Sequence, residues 1–195
     1  MSRIIEGKKI TDQKWLNLYD ITWADDDGRK RHWQLASRRP DAKCISGAFS
    51  RPDAVVIVPY HIGRRQMVVT REYRVPLADV EYGFPAGLVD AGETPAQAAE
   101  RELQEETGLI AGRIVHVGPA IYSSAGMTDE SVSMVYLECD GSVSDAGNVG
   151  GEKIEVLFLD PAEARRLSAS PNLKFDAKAW LVLTVYGHTG APWPF

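Results

Sequence analysis

Residues Gly87 to Leu109 read GLVDAGETPAQAAERELQEETGL, and the fold is decided by this stretch. A glycine-rich turn feeds a carboxylate-rich helix that stops at a glycine. Thr94 is placed to cap the helix, and Pro95 takes the first helical position, where its missing N–H costs nothing. Gly108 stands where a helix end adopts the left-handed conformation. Ala96, Ala99 and Leu103, at i, i+3 and i+7, make a narrow apolar stripe for packing. Glu102, Glu105 and Glu106, at i, i+3 and i+4, share one face. Like charges at this spacing repel, and the C-terminal half of a helix disfavours anions. A bound cation would answer both penalties; oxygen donors without a nearby His or Cys suit a hard ion such as Mg²⁺ or Mn²⁺. A solvated acidic face is the alternative.

Gly87, Glu93, Arg101, Glu102, Leu103, Glu105, Glu106, Gly108 and Leu109 together resemble the signature of the Nudix hydrolases, with every fixed position filled. The resemblance implies hydrolysis of a nucleoside diphosphate linked to another group, with divalent metal held by the glutamates of the box. On that reading Glu102 and Glu106 are the primary metal ligands and Glu105 is a third, direct or through water. The resemblance adds the Ala86 carbonyl, from the turn facing the helix. Arg101, with Glu93, would orient these carboxylates through bidentate hydrogen bonds.

The flanking chain has 195 residues, enough for one domain with a small appendage. A net charge of −5 without a basic stripe disfavours nucleic acid and anionic membranes as partners. No stretch reaches transmembrane length, and the N-terminus lacks an apolar signal segment. Cys44 and Cys139 have no metal-ligand spacing, so a reducing, cytoplasmic setting is expected, with both as ordinary thiols.

Trp15 to Trp23 alternates large and polar residues as a strand does, Asp25-Asp26-Asp27-Gly28 is a turn signal, and Arg31 to Arg38 returns. Residues 13 to 38 therefore read as a hairpin, which needs a surface to cover on its own domain or on a partner subunit. Arg39 to Pro52 reads as a connector. Strands are expected at Ala54 to Pro59, Gln66 to Tyr73, Arg113 to Val117, Ser131 to Glu138 and Ile154 to Leu159, with a loop from Pro76 to Glu81. Asp160-Pro161 opens a helix, and Asp176 to His188 forms the last one. The expected architecture is α/β (α+β), the Nudix fold: a mixed β-sheet sandwiched by helices. Residues 1–50 would form an N-terminal antiparallel β-hairpin region for dimerisation and base binding, and 51–195 the Nudix hydrolase domain. The resemblance implies that the hairpins exchange in a homodimer.

Outside the box the chain resembles the ADP-ribose and nucleotide-sugar pyrophosphatases of the family, from about Lys14 to the last helix. Trp15, in the first strand, and Trp33, in the second, match ring-stacking positions, and aromatic faces suit a purine. Arg38 and Arg74 match diphosphate or ribose contacts, and Gly126 and Met127 belong to the substrate loop. That branch has a proline where Ala125 stands, which brings other nucleotide sugars, such as GDP-mannose or ADP-glucose, beside ADP-ribose as substrates. The catalytic base is expected at Glu152, after the Gly141 to Gly151 loop, with Glu155 as second choice; a loop carboxylate can approach once substrate and metal are bound. A silent nucleotide-sensing module is the reading from another class.

Overall fold

The structure is a computed structural model that describes residues 1–144, 153–193 and 195. Its contacts divide the chain into two compact units: residues 1–53 with 120–132, and residues 54–119 with 133–195.

In the first unit, β1 (Arg3–Lys9), β2 (Asn17–Ala24) and β3 (Lys30–Ser37) form an antiparallel sheet in that order. The expected hairpin is therefore extended by a third strand. A register shift between Ile4 and Glu6 breaks the alternation of β1, which hides it from a period-two reading. Trp15 lies before β2 rather than in it. Asn17 closes that loop, accepting from Gln13 N (2.6 Å) and donating to Gln13 O (2.8 Å), so the strand starts two residues later than expected. The Asp25 to Gly28 turn forms as read, with Asp25 Oδ1 accepting from Arg29 N (2.8 Å) and Gly28 at φ +80°. Tyr19, Ile21 and Ala42 make this unit's core. The connector contains a short helix, α1 (Lys43–Ser46), whose Lys43 is fully buried. Its ammonium donates to Asp53 (2.5 Å) and Ser131 Oγ (2.6 Å), while Asp53 also accepts from Arg39 Nε and Ser131 N, both at 2.8 Å.

The second unit is built on β4 (Ala54–His61), β5 (Gln66–Arg74), β6 (Asp79–Gly83), β7 (Ala86–Leu88), β8 (Ile110–Tyr122), β9 (Ser131–Asp140), β10 (Ile154–Leu159) and β11 (Lys174–Phe175), the adjoining ends of β8 and β9 belonging to the first. The sheet order is β11-β6-β5-β4-β9-β8, with β10 also on β5 and β7 on β4. β11 runs parallel to β6 while β10 and β6 run antiparallel to β5, so the sheet is mixed. The expected loop at Pro76 to Glu81 is instead a 3-10 turn, Val75–Leu77, followed directly by β6. Ala78 completes that reversal in the left-handed conformation (φ 48°), letting charged residues continue as a strand.

α2 (Pro95–Thr107) packs on β4 and β7, and α3 (Pro161–Ser168) and α4 (Ala177–Thr189) pack on each other and on β10 and β6. Met67, Val68 and Val69 are all fully buried, so β5 is covered on both faces. The core joins Val55, Ile57, Val68, Ala98, Leu103, Leu109, Val135 and Leu137 with the Cys139 thiol, which burial raises to about 12. α2 buries Ala98, Ala99, Leu103 and Thr107, whereas Ala96 of the expected stripe stays half-exposed. Three alanines fit an apolar face here, and packing chose the rotation. Among the described residues, no helix is long and apolar enough to cross a membrane.

Candidate active site

The caps of α2 fix where its carboxylates stand. Thr94 accepts from Gln97 N (3.3 Å) while Gln97 Oε1 accepts from Thr94 N (2.9 Å), and Gly108 ends the helix at φ +73°. Gly87 lies on β7, paired with Val55. A Cβ built on Gly87 would sit 1.9 Å from Glu102 Cδ, so the glycine is what lets the Glu102 carboxylate lie against the strand.

Arg101 is the hub. Its Nε and Nη2 donate to the two oxygens of Glu93 (2.9 and 3.0 Å), Nη1 donates to Glu102 (2.7 Å) and Glu105 (3.3 Å), and Nη2 also donates to the Leu88 carbonyl (3.0 Å). The two-pronged bond to Glu93 gives the guanidinium one orientation, and these partners hold Arg101 firmly charged. Glu102 is pulled in opposite directions: desolvation raises its carboxyl, and Arg101 counters.

Among the described residues, Glu106 is the most strongly shifted carboxyl. Its Oε2 accepts from Ala86 N (3.1 Å), which places it beside the residue whose carbonyl the sequence nominated. Ala86 opens β7, opposite Val56, rather than lying in a turn. Burial pushes Glu106 up to about 8, and the charges of Glu102 and Glu72 add to this, whereas the Ala86 N–H and Arg74 oppose it. An oxygen-only donor set with a carboxyl this reluctant to ionise suits a hard divalent cation, which would displace the proton. Among the described residues, no three His, Cys, Asp or Glu side chains already converge on one point.

Glu72 and Glu81 were not anticipated. They stand opposite each other on β5 and β6, with side chains 15% and 20% exposed, and Arg74 donates to both. Side chains alternate along a strand, so Thr70, Glu72 and Arg74 share one face of β5, and that alternation is the signal that marks Glu72. Val156 and Phe158 pack on the core that α2 covers, so Glu155 points to the other face, where it accepts from Arg71 (2.7 Å). It does not share a face with Glu102 and Glu106. Glu152 lies outside the described residues.

The other nominated residues fall in the first unit. Trp15 is 70% exposed, with the Lys14 ammonium 4.3 Å from its ring centroid. Trp33, half-exposed on β3, walls an apolar hollow of about 240 Å³ with Ile4, Ile21, Trp23, Leu35 and Cys44. Arg38 pairs with Glu130 (3.1 Å). Met127 is exposed, its carbonyl accepting from Ala36 N (2.8 Å), and nothing lies within 4 Å of a Cβ built on Gly126. Ala125 lines a second hollow of about 340 Å³ with Leu35, Phe49, Tyr122, Thr128 and Asp129 among its walls. The unit of α2 thus carries Ala86, Arg101, Glu102, Glu105, Glu106 and Arg74, and the β1–β3 unit carries Trp15, Trp33, Arg38, Gly126 and Met127.

This fold, with its box of glutamates around Arg101, defines a class, and the NUDIX domain family matches residues 50–181: the chain belongs to that family. Among its relatives, the ADP-ribose pyrophosphatase of Saccharomyces cerevisiae is 33% identical over 148 residues, 74% of this chain and 62% of that longer protein. The ADP-sugar pyrophosphatase of Mus musculus is 29% identical over 185 residues, 88% of this chain and 81% of the relative. The GDP-mannose pyrophosphatase of Pectobacterium atrosepticum is 31% identical over 188 residues, 92% and 91% of the two chains. A crystal structure of an ADP compounds hydrolase shares the fold at TM-score 0.70 and 16% identity, covering 98% of this chain and 97% of that one.

Proposed function

We propose that this chain is a Nudix pyrophosphatase that hydrolyses the diphosphate bond of a nucleoside diphosphate sugar with Mg²⁺, or Mn²⁺ in its place, and that ADP-ribose, cleaved to AMP and ribose 5-phosphate, is its first substrate. The observation that carries this reading is the half-buried Glu106 against Ala86 on β7, beside a Glu102 that Arg101 holds in place. Glu102, Glu105, Glu106 and the Ala86 carbonyl would hold the cation. When bound, it would neutralise diphosphate oxygens and acidify water. Arg101, locked on Glu93, keeps Glu102 from swinging to solvent. Arg74 supplies a guanidinium for the diphosphate, Trp15 and Trp33 supply faces for the base, and Glu152 is our candidate base.

Two relatives are named for ADP-ribose or ADP-sugar and one for GDP-mannose. Ala125 in the wall of the larger hollow favours keeping GDP-mannose and ADP-glucose as the second reading. Comparing kcat/KM for ADP-ribose, ADP-glucose and GDP-mannose separates the two. Tight ADP-ribose binding without product in Mg²⁺ or Mn²⁺ would instead identify a sensing module. The exposed Trp15 and half-exposed Trp33 support a homodimer with the base held between subunits, and the free Cys44 and Cys139 support a reducing, cytoplasmic setting; a monomer in sedimentation at micromolar concentration would remove the dimer from the reading.

A further inference from the structure

Like charges directly opposite each other on adjacent strands repel, yet Glu72 and Glu81 form such a pair and both are largely buried. What sits between them is Arg74, with Nη1 3.2 Å from Glu72 and Nε 3.3 Å from Glu81. In strand register the partner of Arg74 is Asp79, but Asp79 is engaged elsewhere, 3.1 Å from the Lys174 ammonium. Lys174 is fixed in turn by the Leu77 carbonyl at 3.0 Å. The charges are thus sorted: Lys174 takes the carboxylate at the outer end of β6, and Arg74 reaches back along the sheet to the two inner ones.

We propose that Glu72 and Glu81 are positioning residues, a two-carboxylate clamp that preorganises Arg74 to receive a diphosphate. The inference rests on the reading of Arg74 as a diphosphate contact. A guanidinium offers five N–H donors in a rigid plane, and the clamp uses Nε and one edge of Nη1. The donors beyond those two bonds are the ones available to phosphate oxygens, already oriented. Without the clamp, a flexible side chain would have to be ordered at each binding event, which weakens binding rather than slowing chemistry.

The test is steady-state kinetics with Mg²⁺ on ADP-ribose, or on the best nucleotide sugar of the panel. It uses Glu72→Gln, Glu81→Gln, both together, and each in an Arg74→Ala background. The paired glutamine change is expected to raise KM about ten-fold with kcat within about two-fold, as one charge-assisted bond lost from binding would. In the Arg74→Ala background the same change is expected to add nothing to KM, because on this proposal the glutamates bear on substrate binding through the arginine. Additive effects on KM would overturn the clamp. So would an unchanged KM with a lowered Tm, which marks a structural role, or an unchanged KM with a shifted Mg²⁺ requirement, which would assign Glu72 to the metal. If Arg74→Ala itself leaves KM untouched, the diphosphate reading falls and takes the clamp with it; a raised KM for Arg74→Ala without coupling sinks the clamp alone. Glu81→Asp, which keeps the charge, serves if the glutamine variants fold poorly.

Discussion

Glu106 binds its proton up to about pH 8, against 4.5 for the ordinary side chain, because burial penalises its charged form. Between these values the folded, metal-free protein holds a proton that the unfolded chain has released, so folding stability falls as pH rises through the window. The expected outcome is a stability that declines from about pH 4.5 to 8 by on the order of a few kcal/mol, read as a falling Tm, with the decline flattened in Glu106→Gln. Thermal melts in a chelating buffer measure this, and a parallel decline in the variant would assign it to other groups. The same variant is expected to lose about a thousand-fold in kcat while staying folded, since the charge it removes is the one proposed to hold the metal. Glu102, Glu105 and Glu106 could be read from helical spacing because the repeat of a helix is local. Glu72 and Glu81 are separated from the box in sequence and reach its neighbourhood through the pairing of β5 with β6.

At the scale of elements, β7 and α2 meet at Gly87. A methyl group there would overlap the Glu102 carboxyl, so Gly87→Ala must push Glu102 off β7 or part strand from helix. We expect kcat to drop at least about ten-fold, with a higher Mg²⁺ requirement and a stability loss of about 1–3 kcal/mol, the usual cost of overpacking. Metal titration of the activity separates this from simple destabilisation, which would leave the Mg²⁺ requirement unchanged. The starts of α2, α3 and α4 were legible because Thr94, Asp160 and Asp176 cap them with their own side chains. The rotation of α2 was not: Ala96, Ala98 and Ala99 look alike, and contact with β4 and β7 selected the last two. β1 escaped notice because its irregular register disrupts the alternation that announces a strand.

At the scale of the whole molecule, the proposed site residues divide between the two units, with the carboxylates and Arg101 in one and both candidate stacking tryptophans in the other. Within the first unit, Lys43, Asp53 and Ser131 join segments far apart in the chain. Replacing Lys43 by Met leaves the Asp53 carboxylate short of a buried cation, and a loss of about 3 kcal/mol in denaturant unfolding is expected; a change under about 0.5 kcal/mol would show Arg39 and Ser131 to be sufficient. No local pattern foretells a fully buried lysine, because one of its partners, Ser131, comes from a distant strand. By itself the sequence determined the box, its helix, the caps and the family, since all of these rest on spacings within one window of 23 residues from Gly87 to Leu109. Only the tertiary structure decided that Glu106 lies on Ala86, that Glu155 faces away from the box, and that Arg74 is held between two glutamates. Those outcomes depend on strand register and on which face of the sheet α2 covers, and neither is encoded within any one segment of the chain.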